Sequence, residues 1–113
     1  MADIKQILND IKAQLAPLAE ENVKEFAAQA KQDGEAFLAE SQGKLTKWME
    51  LLASGQIDQS EFQLLVDSQK AVAKMRALRE ANAAALRIEK FRDSVLNMIV
   101  TTAVTAIAPK PQP

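Results

Sequence analysis

The sequence contains no cysteine, no histidine and no tyrosine in its 113 residues. These absences exclude disulfide scaffolds, zinc sites built on Cys or His, thiol nucleophiles and Ser-His-Asp triads. Only three glycines are present, which excludes glycine-rich nucleotide-binding loops. A general acid or base would have to be Asp, Glu or Lys, and the spacing places these residues on solvated helix faces. We therefore expect no enzymatic activity, no cofactor and no metal site.

The residues that are present favour a soluble all-α protein. Apolar residues make up 48% of the chain. The chain has 14 basic and 15 acidic residues, which gives a net charge of −1. Alanine, leucine, glutamine, glutamate and lysine, all strong helix formers, are abundant. The charge is uneven, because residues 1–56 carry a net −3 and residues 57–113 a net +2, with all four arginines in the second half. The overall balance provides no general attraction for nucleic acid, which we consider an unlikely partner.

The amino terminus lacks the pattern of a cleavable signal peptide. Acids and lysines are spread through Met1–Ile7, and no unbroken apolar run follows a basic start. We expect a cytoplasmic location by default, and export by a route that leaves no such mark stays open.

Apolar residues in the first half recur at steps of three and four, which predicts one long helix, the first arm, over 4–53. From Val23 onward the steps form an eleven-residue repeat, which predicts nearly straight packing. Pro17 is the strongest interruption, and we expect it to kink this arm rather than end it, because the apolar phase continues across it. Gly43 is a weaker possible break.

A turn is predicted at 54–58, where three signals agree. Gly55 suits the left-handed residue that stops a helix. Asp58 and Glu61 have the spacing of a capping box that opens the next helix, and Ile57 and Phe62 that of a hydrophobic staple.

After this turn a second arm is predicted over 59–108, followed by an extended tail, 109–113. Each arm of about 50 residues would span about 75 Å. The expected fold is a single all-α domain, 1–108, in which two long helices form an antiparallel hairpin with coiled-coil packing. Residue i would face roughly residue 111 minus i, which places Glu25 near Arg87. We expect such hairpins to oligomerise into a helical bundle.

The uncharged end of the second arm is the leading candidate for an interaction surface. Its apolar side chains surround the helix, so one facing helix cannot cover them. The candidate residues are Val95, Leu96, Met98, Ile99, Val100, Val104 and Ile107. Burial in an oligomer core, for instance a four-helix bundle of two hairpins, is the favoured interpretation. Docking onto another protein and membrane association of 94–108 are alternatives, although the segment is too short to span a bilayer.

A basic stripe and a tip cluster are weaker candidates. Arg76, Arg79, Arg87 and Lys90 share one face of the predicted second helix, and we expect them to pair with acids within the chain or between subunits. Trp48 and Phe62 lie near the turn, where they either close the end of the hairpin or contact a partner.

Two carboxylate pairs lie at helical spacing, Glu21 with Glu25 and Glu89 with Asp93. Without histidine they lack the ligand set of a bundle metal site, so we expect solvated faces.

The functional hypothesis is a non-enzymatic helical interaction or assembly subunit. It would self-associate or join a larger complex through the apolar second helix, as a homo-oligomer or in a larger protein assembly, with no small-molecule substrate. The alternative is a membrane-associating protein that inserts or lays down 94–108.

Overall fold

Both arms of the chain consist of helices joined by turns. The structure, a computed structural model, describes residues 3–107, and no strand occurs within that range. The first arm contains α1 (Ile4–Ala13), α2 (Leu15–Val23) and α3 (Ala27–Ala53). The second arm contains α4 (Gln59–Asp67), α5 (Arg76–Glu80) and α6 (Ala85–Ile107). The all-α prediction is confirmed; Ala108 and the predicted tail, 109–113, lie outside the described residues.

The first arm is not one helix of about 50 residues, because it reverses direction at Val23–Phe26. A straight helix of that length would span about 75 Å, whereas the longest dimension of the described chain is 50 Å. The backbone leaves the helical region at Val23 (φ −141°, ψ 57°) and at Phe26 (φ −123°, ψ 30°), on either side of a 3₁₀ turn, Lys24–Phe26. Helix α3 runs back along α2, so that a Cβ on Gly34 would lie 2.8 Å from Leu15 Cδ2.

The second arm is divided as well, so the prediction of one helix over 59–108 is wrong. A 3₁₀ turn, Ser68–Ala71, follows α4, and the non-helical segment 73–75 ends at Met75, which has a left-handed backbone (φ 51°). Between α5 and α6 lies a second reversal, residues 81–84, with Asn82 at φ 63°. Helix α6 then runs back beside α4, and Asp93 Oδ1 lies 3.6 Å from Lys70 Nζ.

Four antiparallel segments result, in an up-down-up-down order. The first is α1 with α2, the second α3, the third α4 with α5, and the fourth α6. Helices α1 and α2 pack against α3 and α6, and α4 also packs against both. We expected a second copy to complete a four-helix bundle, but one chain supplies all four segments.

Individual contacts between the arms follow the predicted pairing. Arg87 Nη1 lies 3.8 Å from Glu25 Oε1, which confirms that predicted pair. Farther along, Gln14 Nε2 donates to Thr102 Oγ1 at 2.9 Å. The first half of one arm therefore faces the second half of the other, although each arm is folded back on itself.

A buried carboxylate on α3 caps the short helix α5. Asp33 is 7% exposed, and its two oxygens accept hydrogen bonds at 2.8 Å from the backbone amides of Ala77 and Leu78. Those amides belong to the first turn of α5, where no intrahelical carbonyl is available. Met75, the residue at the start of α5, provides no side-chain cap. Asp33, from α3, thus provides the N-terminal cap that no residue adjacent to α5 provides.

The turn at 54–58 forms as predicted. Gly55 has φ 79°, and the amides of Gly55 and Gln56 donate to the carbonyls of Leu52 and Leu51, the two bonds of a Schellman motif. Asp58 accepts from the Glu61 amide at 2.8 Å while Glu61 accepts from the Asp58 amide at 3.0 Å, which completes the capping box.

The interruption near Pro17 lies three residues before it, at Gln14, the single residue between α1 and α2. The proline ring is incompatible with a helical carbonyl four residues back, on Ala13, and Ala13 is the last residue of α1. Pro17 itself occupies the first turn of α2, where a missing amide removes no intrahelical bond. Helix α3 continues without a break through Gly43.

Replacing each of the two glycines of α3 with alanine is expected to change the free energy of unfolding in opposite directions. Gly34→Ala places a methyl group 2.8 Å from Leu15 Cδ2 and 3.4 Å from its Cγ, and Leu15 is fully buried and cannot withdraw. We expect the free energy of unfolding to fall by about 1 kcal/mol, since overpacking exceeds the gain in helix propensity. Gly43 has no neighbouring atom within 4 Å, and Gly43→Ala should raise that free energy by about 0.5–1 kcal/mol. Urea denaturation measures both, and an equal rise in the two variants would contradict the close contact between α2 and α3.

Removing the Asp33 carboxylate should destabilise the fold. Asp33→Ala leaves two amides of α5 unpaired, and we expect the free energy of unfolding to fall by about 2–4 kcal/mol. Asp33→Asn keeps one accepting oxygen and should lose about half as much. Asp67→Ala removes an exposed aspartate of α4 and should change stability by less than about 0.5 kcal/mol. Thermal denaturation compares the three, and a loss in Asp33→Ala no larger than in the control would show that the cap contributes nothing.

Candidate interaction surfaces

The predicted interaction residues of the second arm lie in the core of their own chain. Five of them are buried: Val95, Leu96, Met98, Ile99 and Ile107. Val100 and Val104 are half-buried and pack against the same core. Helix α6 contacts α1, α2, α3 and α4, and these neighbours cover it from more than one side. One facing helix was not expected to cover this segment, and several helices of the same chain cover it because each arm folds back.

The predicted tip residues belong mainly to the core. Phe62 is fully buried and Trp48 is half-buried against the same cluster. Met49 and Leu52 are also buried. These residues close the end of the bundle beside the turn, while the exposed surface there includes residues 53–56 and 58–61.

Exposed large apolar side chains are few in the described chain. They are Leu64 of α4, 69% exposed, and Leu86 of α6, 81% exposed. Single exposed leucines are ordinary on protein surfaces. They do not define an apolar docking face.

The predicted basic stripe is divided by the break between α5 and α6. Arg87 lies beyond that break and pairs with Glu25. Arg76 and Arg79 lie on α5 and form no ion pair with another described residue. The pairing expected for the whole stripe thus forms for Arg87 alone among the three arginines.

Five cationic side chains instead surround one cleft, which we call the basic cleft. It has a volume of about 440 Å³ and lies between the 3₁₀ turn after α4, the segment 72–75, α5 and α6. The cationic residues are Lys70, Lys74, Arg76, Arg79 and Arg92. Ala71 and Ala73 complete its lining, so small side chains leave the centre open. Sequence reasoning missed Lys70, Lys74 and Arg92, although Lys70, Lys74, Arg76 and Arg79 form a visible basic run.

Hydrogen bonds position several of these cations. Arg79 Nε donates to the Lys74 carbonyl at 2.8 Å, which fixes its guanidinium beside the cleft. Arg92 Nε lies 3.2 Å from Asp93 Oδ1, and Lys70 Nζ lies 3.6 Å from the same oxygen. The Asp93 carboxylate thus lies near two of the five cations. The Arg92 side chain is 19% exposed, so most of it is packed against the wall of the cleft.

A second cleft, of about 560 Å³, lies on the other side of Lys74 and Arg76. Its walls include Asp33 and Glu40 of α3 together with buried Phe37. The two carboxylates oppose the two cations, and both oxygens of Asp33 already accept hydrogen bonds from α5. This cleft therefore lacks the charge excess of the basic cleft.

All four residues of the predicted carboxylate pairs are exposed, and one residue of each pair lies near a cation. Glu25 pairs with Arg87, and Asp93 pairs with Lys70 and Arg92. Within residues 3–107 there is no group of three or more side chains suited to holding a metal ion.

None of the helices described for residues 3–107 combines the length and the apolar character needed to cross a membrane.

Comparison with known proteins found no match to a protein-family model, a curated protein or a solved structure.

The internal position of the α6 residues leads to a direct stability prediction. Ile99 is fully buried, and Ile99→Ala should lower the free energy of unfolding by about 2–5 kcal/mol through lost apolar contact and a residual cavity. Leu86→Ala removes an 81% exposed leucine of the same helix and should change it by less than about 0.5 kcal/mol. Urea denaturation compares the two. Equal small effects would show that Ile99 is not in a packed core.

Proposed function

We propose that the chain is a non-enzymatic helical interaction subunit that self-associates or joins a larger assembly through its second arm. The observation that carries this proposal is the basic cleft, where five cations surround an open, alanine-lined depression. The chain as a whole has a net charge of −1, so this excess is local. A rigid helical platform with a local charge excess is suited to recognising a partner of opposite charge.

An acidic protein segment is the partner chemistry that this cleft fits. Arginine guanidinium groups bind carboxylates with two parallel hydrogen bonds, and Lys70 and Lys74 add positive charge without a fixed orientation. No aromatic residue lines the cleft, and proteins that bind single-stranded nucleic acid commonly stack bases on aromatic side chains. The chemistry therefore favours carboxylates on a polypeptide.

The apolar residues of α6 would serve self-association only in an opened form of the bundle. Val95, Ile99 and their neighbours are covered by other helices of the same chain. Membrane association through 94–108 would require the same opening of the bundle, whereas the basic cleft is accessible in the closed chain. We therefore favour a protein partner.

Binding of fluorescently labelled poly-glutamate, measured by anisotropy at low salt, tests this proposal. The unmodified chain should bind, and added salt should weaken binding by screening. The double substitution Arg76→Glu and Arg79→Glu reverses two charges of the cleft and should weaken binding at least about tenfold.

The matched control is the pair Lys44→Glu and Lys47→Glu, which makes the same change in net charge on exposed positions of α3. It should weaken binding less than about twofold. An equal loss in both double variants would indicate attraction without a site and would overturn the proposal. A single-stranded oligonucleotide of equal charge provides the comparison. If it binds more tightly than poly-glutamate, and if reversing the charges of Arg76 and Arg79 abolishes that binding, the cleft is assigned to nucleic acid instead.

A further inference from the structure

The bundle consists of two halves that are joined by only two short segments. One half contains α1, α2 and α6, linked by the bond from Gln14 to Thr102 and by Ser94 Oγ, which lies 3.4 Å from Asn22 Oδ1. The other half contains α3, α4 and α5, linked by the turn at 54–58 and by the Asp33 cap. The connections between the halves are the reversals at 24–26 and 81–84. The ion pair between Glu25 and Arg87 places these two reversals side by side.

The two reversals, 24–26 and 81–84, differ in how strongly local sequence opposes a continued helix. Neither contains glycine or proline, and the apolar spacing of the first arm passes through 24–26 without a change of phase. The second reversal reads Ala81-Asn82-Ala83-Ala84, and alanine has the highest helix propensity. A single left-handed residue, Asn82, stops the helix there. The Asn82 and Ala83 amides donate to the Arg79 and Leu78 carbonyls, the two bonds of a Schellman motif, so the stop at 81–84 is partly local. The reversal at 24–26 has no such residue and depends on contacts between the halves.

Those contacts can be made equally well by a second copy. They include the approach of Leu15 to Gly34, the ion pair of Lys70 with Asp93, and the apolar packing of α6 on α3 and α4. If both reversals straighten together, the two arms extend while the contacts within each half stay intact. The apolar faces released in this way match the faces of another opened copy.

We propose that two copies of the chain exchange halves by straightening at 24–26 and 81–84. Each half then packs against the complementary half of the partner copy, with the same side-chain contacts as in the closed chain. This inference rests on the proposed function and specifies how the second arm would mediate self-association. Because contacts are conserved, protein concentration and the backbone preference at the two reversals set the balance between closed chain and dimer.

Pairs of introduced cysteines distinguish the exchange of halves from association of two closed chains. Any disulfide that forms must join the introduced residues, because the chain has no native cysteine. Leu15→Cys with Gly34→Cys crosses between the halves, and loss of the leucine side chain makes room for the new Cβ. Asn22→Cys with Ser94→Cys lies within one half and is the matched control. Each variant is concentrated, separated by size exclusion with light scattering, oxidised and examined on a non-reducing gel.

A fraction with twice the chain mass is expected at high micromolar concentration. From that fraction the crossing pair should give a covalent dimer, whereas the control pair should give a covalent single chain. A double-mass fraction in which both pairs form only within one chain would overturn the exchange and leave self-association intact. Absence of any double-mass fraction would also overturn the exchange, while poly-glutamate binding would test the proposed function separately.

A backbone substitution tests the same inference without cysteine. Alanine resists the left-handed conformation that Asn82 adopts, whereas glycine accepts it. Asn82→Ala should therefore favour the straightened form, and its dimer dissociation constant should be at least about tenfold lower than that of Asn82→Gly. Equal dissociation constants for the two variants would show that 81–84 does not straighten.

Discussion

Over Val95–Ile107, helix α6 carries apolar side chains around most of its circumference, and most of them are withdrawn from water. One antiparallel neighbour covers only one side of a helix, so at least two further helices have to reach α6. The reversals at 24–26 and 81–84 meet this requirement by bringing α3 and α4 to the faces that α1 and α2 leave uncovered. Asp33 then completes the arrangement, because the short helix α5 depends on its carboxylate for a cap. Burial of α6 thus determines the path of the whole chain.

Local signals predicted the local structure well. Gly55, Asp58 and Glu61 act through neighbours within a few residues, and their turn forms as expected. The reversal at Val23–Phe26 could not be predicted in this way, because no residue there breaks a helix and only contacts with distant segments favour it. Asn82 was an available but weak signal, since asparagine tolerates the left-handed position that ends a helix. Helix content was therefore predictable, whereas helix direction required tertiary information.

The candidate sites were predictable to a smaller extent. The apolar run over Val95–Ile107 was predicted to need more than one facing helix, and the helices that cover it belong to the same chain. The basic stripe was derived from the face of one continuous helix, and the break after α5 separates Arg87 from Arg76 and Arg79. Arg92 reaches the basic cleft only because α6 turns back beside the 3₁₀ turn that contains Lys70. Sites formed by distant segments depend on tertiary contacts, and the spacing of residues along the sequence does not reveal those contacts.

The pairing of the first helices with the last one determines the order of assembly. The half formed by α3, α4 and α5 closes over shorter separations than the contact of α1 with α6. Asp33 caps amides 44 and 45 residues away, whereas the contact of Gln14 with Thr102 joins positions 88 residues apart. Short loops close faster than long ones, so we expect α2 to pack on α3, and α3 on α4 and α5, before α6 docks. During that interval the early half exposes the apolar surface that α6 will cover. Docking of the chain's own α6 would then compete with contacts to any other chain nearby. We therefore expect the rate of synthesis and the local protein concentration to influence how much closed chain forms.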